Sequence, residues 1–241
     1  MHGLPSILPL VLEGVCYDGG GNRLIHDFSA AFHAGARTIL LGPNGAGKSL
    51  VLRLCHGLLA PAAGRIAWLG PGAAETTKRQ AMVFQRPVML RRSAAANVDY
   101  ALKLRGLSRH ARRARVAEAL ERTGLAELGR RSARVLSVGE QQRLALARAW
   151  APEPEVLFLD EPTANLDPAA CRAVEAIVNA IHERGTKIIM TTHDLAQARR
   201  LADEVVFMHR GCMLERTPAT EFFTTPRTAA ARAFMAGELL R

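Results

Sequence analysis

Lysine is scarce in this 241-residue chain: Lys48, Lys78, Lys103 and Lys187 are the only four among 32 basic residues, leaving 28 arginines. Cysteine is sparse as well. Cys16, Cys55, Cys171 and Cys212 are scattered, with no C-x-x-C pair and no histidine at zinc-ligand spacing, which excludes a disulfide scaffold and a zinc module. Reduced, buried thiols are expected. Long hydrophobic runs are missing too: stretches such as Val156-Leu157-Phe158-Leu159 are far below the roughly 18 residues of a membrane span, so the chain is not expected to cross a bilayer. The opening Met1-His2-Gly3-Leu4-Pro5-Ser6 lacks the basic stretch and apolar core of a secretory signal, so the expected compartment is the cytoplasm. Repeats and low-complexity segments are absent. With aromatics at 5% there is no aromatic-plus-basic platform for single strands, and nucleic acid is not an expected partner.

The chain is instead 49% hydrophobic, enough for one globular domain or one with a subdomain, and too apolar for a disordered segment. Its formal charge of +10 bears on association rather than fold. Nucleic acid, anionic lipid and an acidic protein are all compatible with it.

Apolar alternation around Leu8 to Val15, a glycine turn at Gly19-Gly20-Gly21, and Thr38-Ile39-Leu40-Leu41 predict strands. Val156 to Asp160 is a continuous apolar run, as in a parallel strand covered on both faces. Val174, Ile177, Val178 and Ile181 recur at helical spacing before the strand-like Lys187 to Met190. This alternation predicts an α/β fold. Between about residues 86 and 150 strand signals vanish, and Val116, Ala119, Leu120 and Thr123 mark a helical face, read as an inserted helical subdomain. From Arg86 to Arg143 this region holds thirteen arginines against five acidic residues. Arg109, Arg112, Arg113 and Arg115 cluster there, as a solvated helix face or, more sharply read, a docking surface.

The segment Gly42-Pro43-Asn44-Gly45-Ala46-Gly47-Lys48-Ser49 fits G-x-x-x-x-G-K-[ST] and lies between a predicted strand and the helix-compatible Leu50 to Leu54. Glycines let backbone N–H groups converge on a polyphosphate, the following helix presents its positive end, Lys48 reaches the β/γ oxygens and Ser49 ligates Mg²⁺. A nucleoside triphosphate is the expected ligand. Val156-Leu157-Phe158-Leu159-Asp160-Glu161 is a hydrophobic strand ending in two carboxylates, which puts Asp160 near the metal shell and Glu161 where it can polarise water. A kinase excludes water from its γ-phosphate, so this adjacent base favours hydrolysis.

Leu136-Ser137-Val138-Gly139-Glu140-Gln141-Gln142-Arg143 begins with Ser137 23 residues before Asp160. Alone it could be an ordinary helix N-cap. In its setting it resembles the LSGGQ signature of ATP-binding cassette (ABC) ATPases, because the family's other motifs stand around it in order. Gln85 matches the Q-loop, Ala164-Asn165-Leu166-Asp167 the D-loop, His193 the switch histidine and Tyr17 the adenine-stacking aromatic. The resemblance covers roughly residues 8 to 225. It implies a P-loop NTPase cassette: a mostly parallel sheet core with antiparallel N-terminal strands, and the helical subdomain inserted in a RecA-like core, all within one domain. It also implies that two copies face head to tail around two ATP molecules. Lys48, Ser49, Gln85, Asp160, Glu161 and His193 would act from one chain, and Ser137, Gly139 and the neighbouring Glu140 from the other. By this resemblance Glu161 is the general base, His193 contacts the γ-phosphate, and Ser49, Gln85 and Asp160 hold Mg²⁺.

Three positions depart from the family pattern. Leu50 stands where many members have a second hydroxyl, Val138 replaces the first signature glycine, and Glu140 replaces the usual glutamine. Activity is expected because Ser137 and Gly139 remain. A lone cassette of this kind looks like the detached ATPase of a bacterial importer. That implies permease subunits in the membrane, a solute-binding protein outside, and a place on the inner face of the cell membrane. The stretch Phe84-Gln85-Arg86-Pro87-Val88-Met89-Leu90 and the short tail are similar to the oxyanion branch, tungstate first and phosphate next. An exporter cassette, or a soluble ABC protein acting on nucleic acid or ribosomes, is the alternative. The latter would usually carry a long heptad insertion or a second cassette, and neither is present.

Overall fold

The structure is a computed structural model that describes residues 5–238. The readings that fall on residues 1–4 and on the tail beyond 238 lie outside the described residues. The chain runs β1 (Leu10–Gly19), β2 (Asn22–Phe32), β3 (Thr38–Leu41), α1 (Lys48–His56), β4 (Ala63–Trp68), α2 (Thr76–Arg79), β5 (Gln80–Val83), α3 (Ala94–Leu104), α4 (Arg109–Arg122) and α5 (Val138–Trp150). It continues with β6 (Val156–Asp160), α6 (Pro168–Glu183), β7 (Lys187–Thr192), α7 (Leu195–Leu201), β8 (Glu204–His209), β9 (Cys212–Pro218), α8 (Ala219–Phe222) and α9 (Ala229–Met235). Two units emerge: residues up to 77 with 158–160 and from 187 onward, and residues 78–157 with 161–186.

In the first unit β1 pairs antiparallel with both β2 and β4, giving the sheet order β2-β1-β4. Leu10, Leu12 and Val15 of β1 meet Ile25, Phe28 and Phe32 of β2 in a fully apolar layer. The register slips between Leu12 and Val15, a bulge that breaks the period of two. Alternation in the sequence therefore stops near Val15, although the strand continues to Gly19. Within this unit the larger sheet has the order β7-β3-β8-β9. Its β3 is parallel to β7 and β8, and β9 returns antiparallel beside β8. Every residue of β3, β6 and β7 is buried, which explains why these strands read as unbroken apolar runs. The expected α/β class, with antiparallel N-terminal strands, is observed.

The second unit is built on helices. Val98 and Leu102 of α3, Leu120 of α4 and Leu144 of α5 join Leu125 and Leu136 in one core. Ser93, Ser108 and Ser137 start these three helices, each hydroxyl accepting from the backbone N–H three residues on. Asn97 is fully buried and fixes the approach to α3: its Oδ1 accepts from Leu90 N–H at 3.0 Å and its Nδ2 donates to Ser93 O at 2.9 Å.

Two expectations change. Only Cys55 is buried, where desolvation pushes its thiol far above the usual range. Cys16, Cys171 and Cys212 are half-buried because they sit on a sheet face, at a helix start and in a hairpin. The arginine cluster of α4 is not uniformly solvated either: Arg112 pairs with Asp99 at 2.7 Å and Arg115 with Glu153 at 3.1 Å.

Candidate nucleotide site

The phosphate loop leaves β3 at Leu41 and enters α1 at Lys48. Gly47 takes the N-cap position of α1 with φ 95°, and no side chain accepts from the first turn. A helix start without a side-chain cap, with the positive end of the helix dipole there, favours an anion. Lys48 is buried, and its Nζ donates to the loop's own carbonyls, Gly42 O at 2.8 Å and Pro43 O at 2.9 Å. That holds the ammonium at the loop with geometry set by the backbone. Asn44 and Gly45 form the exposed rim, Ala46 is buried and Leu50 half-buried.

Asp160 ends β6 and is 3% exposed. Its Oδ1 accepts from Ser49 Oγ at 2.6 Å and from Thr191 Oγ1 at 2.9 Å, while Oδ2 lies 3.9 Å from an Arg53 nitrogen. A hydroxyl and a carboxylate in contact are the hard-oxygen donors that suit Mg²⁺. Among the described residues no group of three His, Cys, Asp or Glu could hold a metal by itself. A cation here would draw further oxygens from nucleotide and water, as Mg²⁺ does in phosphate sites.

Tyr17 is the register partner of Ile25, and Ile25 Cδ1 lies 2.6 Å from where a Cβ on Gly47 would stand. Tyr17 is thereby set one strand from the loop. The β8–β9 turn supports the loop as well: Gly211 N–H donates to Ala46 O at 3.1 Å, and Gly211 O accepts from His26 N–H at 3.0 Å. Sequence reasoning missed both Gly211 and Thr191. Thr191 carried a signal, since hydroxyls end a strand parallel to the one that feeds the loop; the Gly211 contact, far away in sequence, carried none. His193 is exposed after β7, where Asp194 N–H donates to Thr192 Oγ1 at 3.0 Å and the Asp194 carboxylate caps α7.

In the second unit, Gln85 is exposed two residues past β5. Ser137 and Glu140 form a reciprocal capping box on α5: Ser137 Oγ accepts from Glu140 N–H at 3.3 Å, and the Glu140 carboxylate accepts from Ser137 N–H at 2.7 Å. That backbone bond, more than any other influence, holds the Glu140 carboxyl below its usual range. Val138 is 64% exposed at the first helical position. Gly139 approaches Ala170 of α6, whose Cβ is 3.0 Å from the position a Cβ on Gly139 would take. Glu161 has φ 44°, a left-handed conformation that is strained for a residue with a side chain, and its carbonyl accepts from Ala164 N–H at 3.1 Å. Asn165 is left-handed too, at φ 62°, and Asp167 caps α6. The segment after β6 is thus a turn with two left-handed residues that carry side chains, Glu161 and Asn165.

Comparison with known proteins bears on what this geometry serves. The family described as ABC transporter matches residues 25–164. The phosphate import ATP-binding protein PstB 2 of Natronomonas pharaonis is 36% identical over 96% of this chain and 87% of its own length. The tungstate uptake system ATP-binding protein TupC of Peptoclostridium acidaminophilum is 39% identical over 80% of this chain and 90% of its own. Among solved structures, cbiO1 from Clostridium perfringens, described as part of the ABC transporter complex cbiONQ, superposes with a TM-score of 0.79 at 30% identity, covering 90% of both chains. With a phosphate loop, a carboxylate-ended strand and a family match over more than half its length, the chain belongs to the ABC transporter family, as an ATP-binding cassette.

Proposed function

We propose that this chain is the ATP-hydrolysing subunit of an importer, working as a homodimer beneath permease subunits and fed by a solute-binding protein. The observation that carries the hydrolytic part is the Ser49–Asp160 contact at 2.6 Å beside a buried Lys48 at a helix start with no side-chain cap. Polyphosphate would lie on the N–H groups of residues 42–49, with Lys48 neutralising the β/γ oxygens and Tyr17 beneath the base. Ser49 and Asp160 would hold Mg²⁺, with Gln85 as the further ligand the resemblance assigns; the ion supplies charge neutralisation on the transferring phosphoryl group. Glu161 takes the proton of the attacking water, and His193 steadies the γ-phosphate. Ser137 and Gly139 of the second copy close each site, so ATP holds the dimer together and its hydrolysis lets the dimer open.

An oxyanion, tungstate or phosphate, is the solute this reading favours, supported by the names of the two relatives above. Among the described residues no helix is long and apolar enough to cross a membrane. The test is the Glu161→Gln form, extracted in mild detergent from its own cell with ATP. It should bind ATP and dimerise yet lose nearly all turnover, and it should bring down a small permease. The matching solute-binding protein, titrated with tungstate and phosphate, then identifies the anion. Wild-type turnover in Glu161→Gln would remove Glu161 from its role, and recovery of ribosomes or repair proteins without any membrane protein would remove the transport reading.

A further inference from the structure

Thr191 is a polar residue at an apolar place. All of β7 is buried, Ile188, Ile189 and Met190 run up to it, and Thr191 itself is fully buried. A valine would fill nearly the same volume without carrying into the core a hydroxyl whose burial, left unbonded, costs about 1–3 kcal/mol. The hydroxyl is bonded: it donates to Asp160 Oδ1 at 2.9 Å, the same oxygen that accepts from Ser49 Oγ at 2.6 Å. Its place along the chain is set by strand register, since Thr191 pairs with Leu40 of β3, two residues before Gly42 of the phosphate loop. The donor is therefore held by the same strand that feeds the loop.

Two donors on one carboxylate oxygen do what one cannot. The terminal torsion of an aspartate is broad and roughly two-fold, so a single bond from Ser49 would leave the carboxylate able to turn. A second bond from β7, arriving from a different element than the first turn of α1, fixes which oxygen faces the two hydroxyls; Oδ2 is left on the side where an Arg53 nitrogen lies 3.9 Å away. Ser49 gains as well. Its one proton goes to a carboxylate that is held still, and the lone pairs of its oxygen stay available to a cation. The neighbouring Thr192 serves another group: its Oγ1 accepts from Asp194 N–H at 3.0 Å, in the turn that carries His193. Two adjacent threonines of equal chemistry thus have separate targets, and only Thr191 donates to Asp160 Oδ1.

We propose that Thr191 is a positioning residue for the metal: acting through Asp160, it orients the carboxylate for a divalent cation and so raises metal affinity. This rests on the reading of Ser49 and Asp160 as metal ligands. The probe is Mn²⁺, a paramagnetic stand-in for Mg²⁺, titrated into the full chain at saturating ADP with the free ion read by electron paramagnetic resonance; ADP binding in EDTA is measured beside it. Partners that orient a metal ligand are worth roughly 10–100-fold in affinity, so Thr191→Val should weaken Mn²⁺ binding by about tenfold or more. Thr191→Ala, which lacks the hydroxyl and cannot crowd the strand, should show the same loss, whereas Thr191→Ser, which keeps the donor, should stay within about threefold of wild type. ADP affinity in EDTA should be unchanged in all three, because the phosphate loop and Lys48 are untouched. Thr192→Val should leave Mn²⁺ binding within about threefold. Wild-type Mn²⁺ affinity in either hydroxyl-free variant of Thr191 would overturn the assignment. Equal losses in Thr191→Val and Thr192→Val, or a parallel loss of ADP binding in EDTA, would overturn it too, since both mark a disturbed strand rather than a turned carboxylate. A wild-type chain that takes up no Mn²⁺ beyond what ADP alone binds would remove the metal site itself, and the role of Thr191 with it.

Discussion

Lys187 gives the sharpest quantitative handle on the first unit. It opens β7, is 2% exposed, and donates from Nζ to Ala36 O and, at 2.9 Å, to Thr38 Oγ1. Thr38 Oγ1 in turn donates to Glu204 Oε2 at 2.9 Å, and Glu204 accepts from Arg216 at 2.7 Å. Burial is the largest influence on the ammonium and pulls its pKa from 10.5 down to about 8; the Glu204 carboxylate opposes that pull and Arg216 reinforces it. The unfolded chain keeps this proton up to about pH 10.5, whereas the folded chain releases it near pH 8. Above pH 8 the unfolded state therefore binds more protons, and stability rises with pH. Over the whole interval Lys187 would contribute about 3 kcal/mol.

Cys55 acts in the opposite sense. Its buried thiol stays protonated while the unfolded chain ionises near pH 9, which favours unfolding as pH climbs further. The clean window is thus the unit between pH 8 and 9, where Lys187 should add about 1 kcal/mol. Urea unfolding followed by circular dichroism on either side of pH 8 reads the effect, and Lys187→Met, which cannot titrate, isolates it. Wild-type stability should climb relative to the variant across this window. Parallel pH profiles for the two proteins would refute the linkage.

Two further substitutions test the site. Gly211 has φ 75°, and an added Cβ would stand 2.2 Å from Leu24 O, so Gly211→Ala must push the β8–β9 turn off β2 and with it the support of Ala46 O. It should destabilise by roughly 1–3 kcal/mol and weaken ATP binding in parallel, as read by thermal melts and nucleotide titration; unchanged affinity would show that the turn does not hold the loop. Glu140→Gln keeps an acceptor for Ser137 N–H but removes a negative charge from the end of α5 that the proposed second ATP meets. ATP-driven dimerisation should tighten by about twofold to fivefold, the worth of a charge at a helix end. Weaker dimerisation, measured by analytical ultracentrifugation with ATP, would contradict that reasoning.

The sequence was most legible where one residue type answers one physical demand. Val156 to Leu159 is apolar throughout because both faces of the strand are covered, and Gly42 to Ser49 has the glycine-rich composition that a close approach of backbone to phosphate would demand. Legibility failed where the partner is distant in sequence or the pattern is broken. The bulge after Leu12 hid the second half of β1, and Arg112 and Arg115 looked solvated because their acids, Asp99 and Glu153, lie 13 and 38 positions away. The N-cap reading of Ser137 proved structurally right, since its hydroxyl and the Glu140 carboxylate close a capping box on α5.

The helix caps carry the argument one step further. Among the described residues, α3, α4 and α5 are capped by Ser93, Ser108 and Ser137, α6 and α7 by Asp167 and Asp194, and α9 by Thr228. Each supplies a side-chain oxygen to N–H groups that have no partner within the helix. Only α1, of the helices with seven residues or more, begins at a glycine and leaves those donors without a side-chain acceptor. Open donors at a helix start lose stability that a serine would have restored, by about 1 kcal/mol. A chain that caps six helices and leaves the seventh without a side-chain cap keeps the positive end of that helix suited to an anion, which is what the proposed polyphosphate contact of Lys48 and Ser49 on its first turn requires.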